Sequence, residues 1–329
     1  MRLGQNPAKS IDYVAKPAPV TVAVTSYIPF TSGYYAQSLD VLKICLESII
    51  QHTDQPFDLL VFDNASCPEA VEYLCQMRAE NKIQYLVLSE KNIGVVGAWN
   101  FVFGAAPGEY IAYSDMDVYY YPGWLSRHIQ VFAAFPEAGT VAGLPRREDN
   151  GLYSSTLEQA PSLPGVAVDQ GDFIRPEWIT DHLRSLGKPD EIEKELSTAD
   201  FRLTRNGVPA FATATHFQFV VPTRIAQSII PLEYDRPMGD PVSNFDRAIN
   251  GSRYLRLAVS ERSVRHIGNT IDQKTLAELP VSITAGLDTS KTRPKVQEAG
   301  GIYQWKPVKW LLHRAYDWIF RLYYAPRTK

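Results

Sequence analysis

Two hydrophobic periods alternate along the first third of the chain. Residues 20–26 (VTVAVTS) form a short β-branched run, the composition of a strand covered on both faces in a parallel sheet. Residues 39–51 (LDVLKICLESIIQ) place apolar side chains three and four apart, the helical period, and 58–62 (DLLVF) returns to a short apolar run closed by Asp63-Asn64. The same reading predicts a helix over 68–79, a strand over 83–88, a helix over 96–104 and a strand over 110–114. Strands and helices alternating with short connections predict βαβ units, hence an α/β chain on a mostly parallel, Rossmann-like sheet flanked by helices.

Beyond residue 150 the pattern becomes irregular up to 209, with two short helices over 177–186 and 190–196, and reads as an insert or lid. A strand over 216–221, a helix over 224–229, a polar loop carrying Asp240 and a strand over 254–259 leading to His266 complete a domain spanning 20–270. It is preceded by a polar tail, 1–19, and followed by an extension, 271–329. Within 305–329 the apolar residues Val308, Leu311, Leu312, Ala315, Trp318, Ile319, Leu322 and Tyr323 keep the helical period, with six Lys/Arg against one Asp. Such a basic amphipathic helix either lies in a membrane interface or packs on the domain with its basic face solvated.

The 329 residues fill one large domain or two modest ones, and 45% hydrophobic with 21% charged residues excludes disordered and disulfide-scaffold classes. With 33 Lys and Arg against 36 Asp and Glu, the net charge of −3 provides no global basic field, so no nucleic-acid partner is expected. Cys45, Cys67 and Cys75 form no C-x-x-C pair, the N-terminal residues lack the apolar core of a signal peptide, and no membrane-spanning apolar run occurs. A cytoplasmic protein, soluble or bound to the inner membrane surface, is the expectation.

In parallel sheets ligands bind beyond the carboxyl ends of the strands, and here Thr25-Ser26, Asp63-Asn64 and Asp115-Met116-Asp117 stand at those ends. Residues i and i+2 of extended backbone point to one side, so Asp115 and Asp117 can face one ligand. Two such carboxylates suit Mg²⁺ or Mn²⁺, which joins protein oxygens to substrate phosphates such as those of a nucleotide diphosphate. Asp63 and Asn64 can hydrogen-bond a base or ribose, or simply close the strand in an Asx turn. The stretch Asn92-Ile-Gly94-Val-Val-Gly97-Ala-Trp-Asn100 is not G-x-G-x-x-G, which disfavours a dinucleotide-binding dehydrogenase.

In this order and spacing, strand one, VFDNAS, NIGVVGAWN, and SDMD followed by YYYPGWL resemble a GT-A fold glycosyltransferase of the large inverting family 2, across residues 20–270. The resemblance implies transfer of a sugar from a nucleotide-diphosphate donor to a hydroxyl, with 150–209 on the acceptor side. It places Asp63 on the nucleotide base, Thr25 and Tyr27 along that base, Asp115 on the ribose or metal, and Asp117 on the metal. Several relatives carry a metal- or diphosphate-binding histidine where His266 stands, although a structural role is as open to a lone histidine. Trp124 fits the family's W-L pattern and either walls the acceptor pocket or fills the core.

Transfer needs a base, usually a carboxylate. The family's acidic pair before a helix matches Gly239-Asp240, which makes Asp240 the expected base, with Asp246 the second candidate; Asp246-Arg247 also reads as a surface charge pair. His216 reads as strand core. The acceptor expected is a glycan or lipid-linked glycan. Two rivals are a sugar nucleotidyltransferase, which lacks its Gly-rich basic loop in TSYIPFTSGYY, and a non-catalytic glycan- or membrane-binding protein on a degenerate scaffold, kept open by Gly239.

Overall fold

The computed structural model describes residues 3–147, 154–213, 215–233 and 241–287, with five further positions at 308, 311, 314, 315 and 318. Twelve strands are formed by the described residues: β1 (Val20–Ser26), β2 (Phe57–Asn64), β3 (Tyr85–Ser89), β4 (Tyr110–Asp115), β5 (Val118–Tyr120), β6 (Ala138–Ala142), β7 (Ala167–Gly171), β8 (Asp200–Arg205), β9 (Val208–Ala212), β10 (Gln218–Pro222), β11 (Leu255–Val259) and β12 (Val264–His266). The helices are α1 (Ser38–His52), α2 (Pro68–Ala79), α3 (Gly94–Ala105), α4 (Trp124–Ala134), α5 (Ser154–Gln159), α6 (Pro176–Ser185), α7 (Ile192–Leu196), α8 (Thr223–Ile229), α9 (Pro241–Gly251), α10 (Gln273–Glu278) and α11 (Val281–Thr284).

Ten strands form one sheet in the order β3-β2-β1-β4-β10-β6-β11-β9-β8-β7. Its first four strands are parallel, as the βαβ reading requires, and they are covered on both faces: Val20, Val22 and Val24 of β1 enter one apolar cluster while Ala23 enters another with Leu60 and Phe62. That two-sided burial is why these strands are continuous apolar runs rather than alternating ones. β10 enters antiparallel between β4 and β6, and β6 pairs in parallel with β11.

The region from 150 to 209 differs from expectation. Besides α6 and α7 it contributes β7, β8 and β9, an antiparallel extension that continues the central sheet through β9 and β11. The β8–β9 hairpin turns at Asn206-Gly207, both with positive φ (52° and 76°), the backbone a two-residue turn demands. This region is tied to the segment after β6 by ion pairs, two of them buried. Arg146 clasps Glu195 through Nε (3.1 Å) and Nη2 (2.6 Å), and Arg147 reaches Asp200 at 3.1 Å and Asp172 at 2.8 Å.

A smaller sheet pairs β12 with β5, with His266 opposite Val118. It brings a histidine from late in the chain to the acidic end of β4. No helix among the described residues is long and apolar enough to cross a membrane. The helix expected over 305–329 is described only at Val308, Leu311, Arg314, Ala315 and Trp318, all helical; the rest of it lies outside the described residues.

His128, on α4, is fully buried, its Nδ1–H donating to the Trp124 carbonyl at 2.7 Å, and burial pushes its pKa down to about 4. An unfolded chain takes up this proton near pH 6.5 whereas the folded chain does not, so stability is full above that pH and is lost as pH falls from 6.5 towards 4. The loss expected from this residue is about 3 kcal/mol. Urea denaturation at pH 7 and pH 4 measures it: the drop in the wild type is expected to be larger than in His128→Gln.

Candidate active site

Strand register sets the rim of the site. Thr25 of β1 lies opposite Asp115 of β4, and Ser26 lies opposite Asp63 of β2, so three adjacent parallel strands end at one level with polar residues. Asp63 is buried, accepting from Ser26 Oγ (2.9 Å) and from the Ser66 amide (2.9 Å), while Ser66 Oγ accepts from the Ile28 amide. Its carboxylate therefore locks the loops that follow β1 and β2. Asn64 does the same for α3: its Oδ1 accepts from the Ile93 amide at 2.8 Å and its Nδ2 donates to Asn92 Oδ1 and the Gly94 carbonyl.

The β4 terminus is held by a chain of hydroxyls. Tyr113, fully buried, donates to Asp115 Oδ1 at 2.6 Å, and Thr25 Oγ1 lies 2.9 Å from the same phenol. The Asp115 amide donates to the Phe217 carbonyl, continuing the β4–β10 pairing to the edge of the site. Burial, and then repulsion from Asp117, raise the Asp115 pKa above the ordinary carboxylate range. Beneath it, Cys45 is buried and its thiol is pushed up to about 12 by burial, which makes it packing rather than a nucleophile.

Asp117 pairs with His266. Nε2 of the imidazole is 3.2 Å from Asp117 Oδ2, and Nδ1 is 2.7 Å from Ser185 Oγ at the end of α6. Burial disfavours charge on both members, but their mutual attraction prevails: Asp117 is held below the usual carboxylate range and His266 above the usual imidazole range. Asp117 Oδ1 is buried with no hydrogen-bond partner among the described residues. An orphaned buried carboxylate oxygen beside an imidazole fits a divalent cation, which takes one or two protein ligands and completes its shell with phosphates and water. No three His, Cys, Asp or Glu side chains among the described residues gather closely enough to hold a metal unaided.

An aromatic wall stands over β1. Tyr35 meets the rings of Tyr27 (6.3 Å), Phe30 (5.2 Å) and Tyr34 (5.0 Å) edge-on, and Asn269 Nδ2 donates to the Tyr34 carbonyl, tying this wall to the segment after His266. Trp124 is fully buried against Tyr120, so it fills the core.

Asp240 lies outside the described residues. Asp246 is described and is not a surface partner of Arg247, whose guanidinium donates instead to Asn244. It is buried in an ion pair with Arg256, itself 1% exposed, and its Oδ1 lies 2.7 Å from His216 Nε2. His216 accordingly precedes β10 and serves a charge cluster rather than strand core. Sequence reasoning missed Arg256, Ser185 and Arg146, because each finds its partner at a sequence distance that no local pattern spans. Arg146 stands close enough to oppose protonation of both His182 and His266.

Removing the Asp246 carboxylate strands a buried guanidinium. Asp246→Ala is expected to lower stability by about 3–5 kcal/mol in urea denaturation, whereas a surface charge pair would give less than about 1 kcal/mol.

The family model described as Glycosyl transferase family 2 matches residues 34–191, which include Asp63, Asp115 and Asp117. Protein CgeD of Bacillus subtilis is 29% identical over 173 residues, covering 51% of this chain and 38% of its own. An uncharacterized glycosyltransferase of Nostoc sp. is 25% identical over 134 residues, covering 40% of this chain and 41% of its own. The chain thus spans about two fifths of the length of these curated relatives. Among solved structures, S. aureus TarS 1-349 in complex with UDP-GlcNAc is similar at 13% identity and a TM-score of 0.45, over 80% of this chain and 61% of that one. GalNAc-T7 with UDP, GalNAc and Mn²⁺ is similar at 13% identity and a TM-score of 0.47, over 76% of this chain and 43% of that one. The family model is thus laid across the strand ends that carry the three aspartates, on a mixed α/β sheet, and that part of the chain is similar to family 2 glycosyltransferases.

Proposed function

We propose that the chain transfers a sugar from a nucleotide-diphosphate donor to a hydroxyl of a glycan or lipid-linked glycan, with inversion at the anomeric carbon and with Mn²⁺ or Mg²⁺ bound. The observation that carries this reading is the rim on which Thr25, Asp63, Asp115 and Asp117 end adjacent strands while β12 brings His266 within 3.2 Å of Asp117. The family 2 match and the curated glycosyltransferase relative support the reaction class.

Asp117 and His266 hold the cation, and Asp115 binds it or the ribose. When bound, the cation neutralises charge that grows on the departing diphosphate. Tyr27 and Thr25 flank the nucleotide base, towards which Asp63 and Asn64 set the backbone. Asp240 takes the proton of the attacking hydroxyl, so that displacement occurs in one step through an oxocarbenium-like state. Asp246 is the weaker candidate for that role, since its carboxylate is buried against Arg256 and His216.

The extension places the enzyme at the inner face of the membrane, where lipid-linked acceptors lie, for cell-surface polysaccharide or lipid-linked glycan synthesis. Leu311 and Trp318, both in helical backbone, are 61% and 65% exposed, which supports a peripheral contact.

Calorimetric titration of UDP, GDP and dTDP with and without Mn²⁺ tests the donor site. One nucleotide is expected to bind with Mn²⁺ and to lose at least tenfold in affinity in Asp117→Ala; metal-independent binding in both proteins contradicts the metal assignment. Asp240→Asn is expected to bind that nucleotide unchanged while turnover falls by about 10²–10⁴. Turnover that survives in Asp240→Asn would remove Asp240 as the base. Truncation of 305–329 is expected to abolish sedimentation with anionic liposomes; unchanged sedimentation rejects the membrane contact.

A further inference from the structure

The insert does more than border the site: the last residue of its helix α6 touches a side chain that faces Asp117. Ser185 has one hydroxyl proton, and its Oγ donates it to the His182 carbonyl at 2.7 Å. With its proton so placed, Oγ is an acceptor at 2.7 Å from His266 Nδ1 and can take the proton of an Nδ1–H. An imidazole that gives Nε2, the nitrogen 3.2 Å from Asp117 Oδ2, to a cation carries its remaining proton on Nδ1, within reach of Ser185 Oγ. The ring cannot easily turn away from this pose. It is 8% exposed, meeting His182 edge-on at 5.5 Å and Phe217 at 5.2 Å.

A second contact holds the same two segments together. Gly268, two residues after His266, has φ +78°, and a Cβ there would lie 2.7 Å from the Ser185 carbonyl oxygen. The glycine thus permits both the left-handed backbone and the close approach of the α6 terminus. One turn earlier on the same face of α6, Asp181 is paired with Arg262 at 3.0 Å and Lys274 at 2.6 Å, which anchors the helix against the segments before and after β12.

We propose that Ser185 is a positioning residue that keeps His266 protonated on Nδ1, so that Nε2 is presented with Asp117 to a divalent cation. This rests on the metal reading given above. It makes the insert part of the donor site, because the partner that selects the imidazole tautomer comes from α6 rather than from the sheet. Partners of this kind orient a metal-binding histidine, and their loss typically weakens metal affinity by about 10–100-fold.

The test is Mn²⁺ binding to the full chain, followed by the electron paramagnetic resonance signal of free Mn²⁺ in the presence of saturating UDP, for wild type, Ser185→Ala, Ser185→Thr and Ser185→Cys. Ser185→Ala is expected to weaken Mn²⁺ binding at least tenfold. Ser185→Thr, which keeps a hydroxyl, is expected to stay within about threefold of wild type. Ser185→Cys, of nearly the same volume with a poorer acceptor, is expected to fall between them, and it carries the test if the alanine variant does not fold. Wild-type affinity in both Ser185→Ala and Ser185→Cys overturns the proposal while leaving the metal site standing. A wild-type protein that takes up no Mn²⁺ overturns the metal reading itself, and the proposal with it.

Discussion

The pairing of Asp117 with His266 is the constraint around which the site is organised. Two carboxylates one residue apart at a buried strand end repel each other, and burial adds to the cost. The fold answers by treating them differently. Asp115 takes a hydrogen bond from buried Tyr113, whereas Asp117 takes the imidazole of His266 from β12. That second solution obliges the chain to bring a segment some 150 residues downstream back to the end of β4, which is what the small β5–β12 sheet accomplishes.

The same demand explains the ionic bolts of the insert. Arg146 and Arg147 leave the segment after β6, and their buried partners Glu195 and Asp200 both lie between residues 150 and 209. A buried ion pair contributes little net stability, but breaking one is costly, so such pairs specify a single docking geometry. With α6 docked in one pose, Ser185 can meet His266. Arg146, close to the same imidazole, opposes its protonation, so the charge of His266 depends mainly on Asp117. The insert therefore fixes both the direction and the electrostatics of one side of the rim.

Much of this was legible in the sequence where local chemistry decides it. VTVAVTS, DLLVF and YIAYSD are strands because parallel strands covered on both faces must be apolar, and each ends where its polar residues begin. The placement of Thr25, Asp63 and Asp115 on one level follows from parallel pairing. The extension of the sheet by β7, β8 and β9 was not read, although Asn206-Gly207 is a strong hairpin signal. Pro209 within β9 and the polar, half-exposed residues of β7 obscured the strand period there. Asp246 misled for a different reason: Arg247 is its neighbour in sequence, but Arg256 and His216 are its neighbours in space. Adjacency along a helix says little about a carboxylate that points inward.

The central claim is that Asp117 and His266 together face a divalent cation on the rim of a nucleotide site. Anomalous diffraction at the manganese edge, from crystals grown with Mn²⁺ and UDP, tests it directly. The account predicts one strong peak within bonding distance of an Asp117 oxygen and His266 Nε2, with the UDP phosphates on its open side. A diphosphate seated on the rim with His266 still closed on Asp117 and no manganese between them would contradict it.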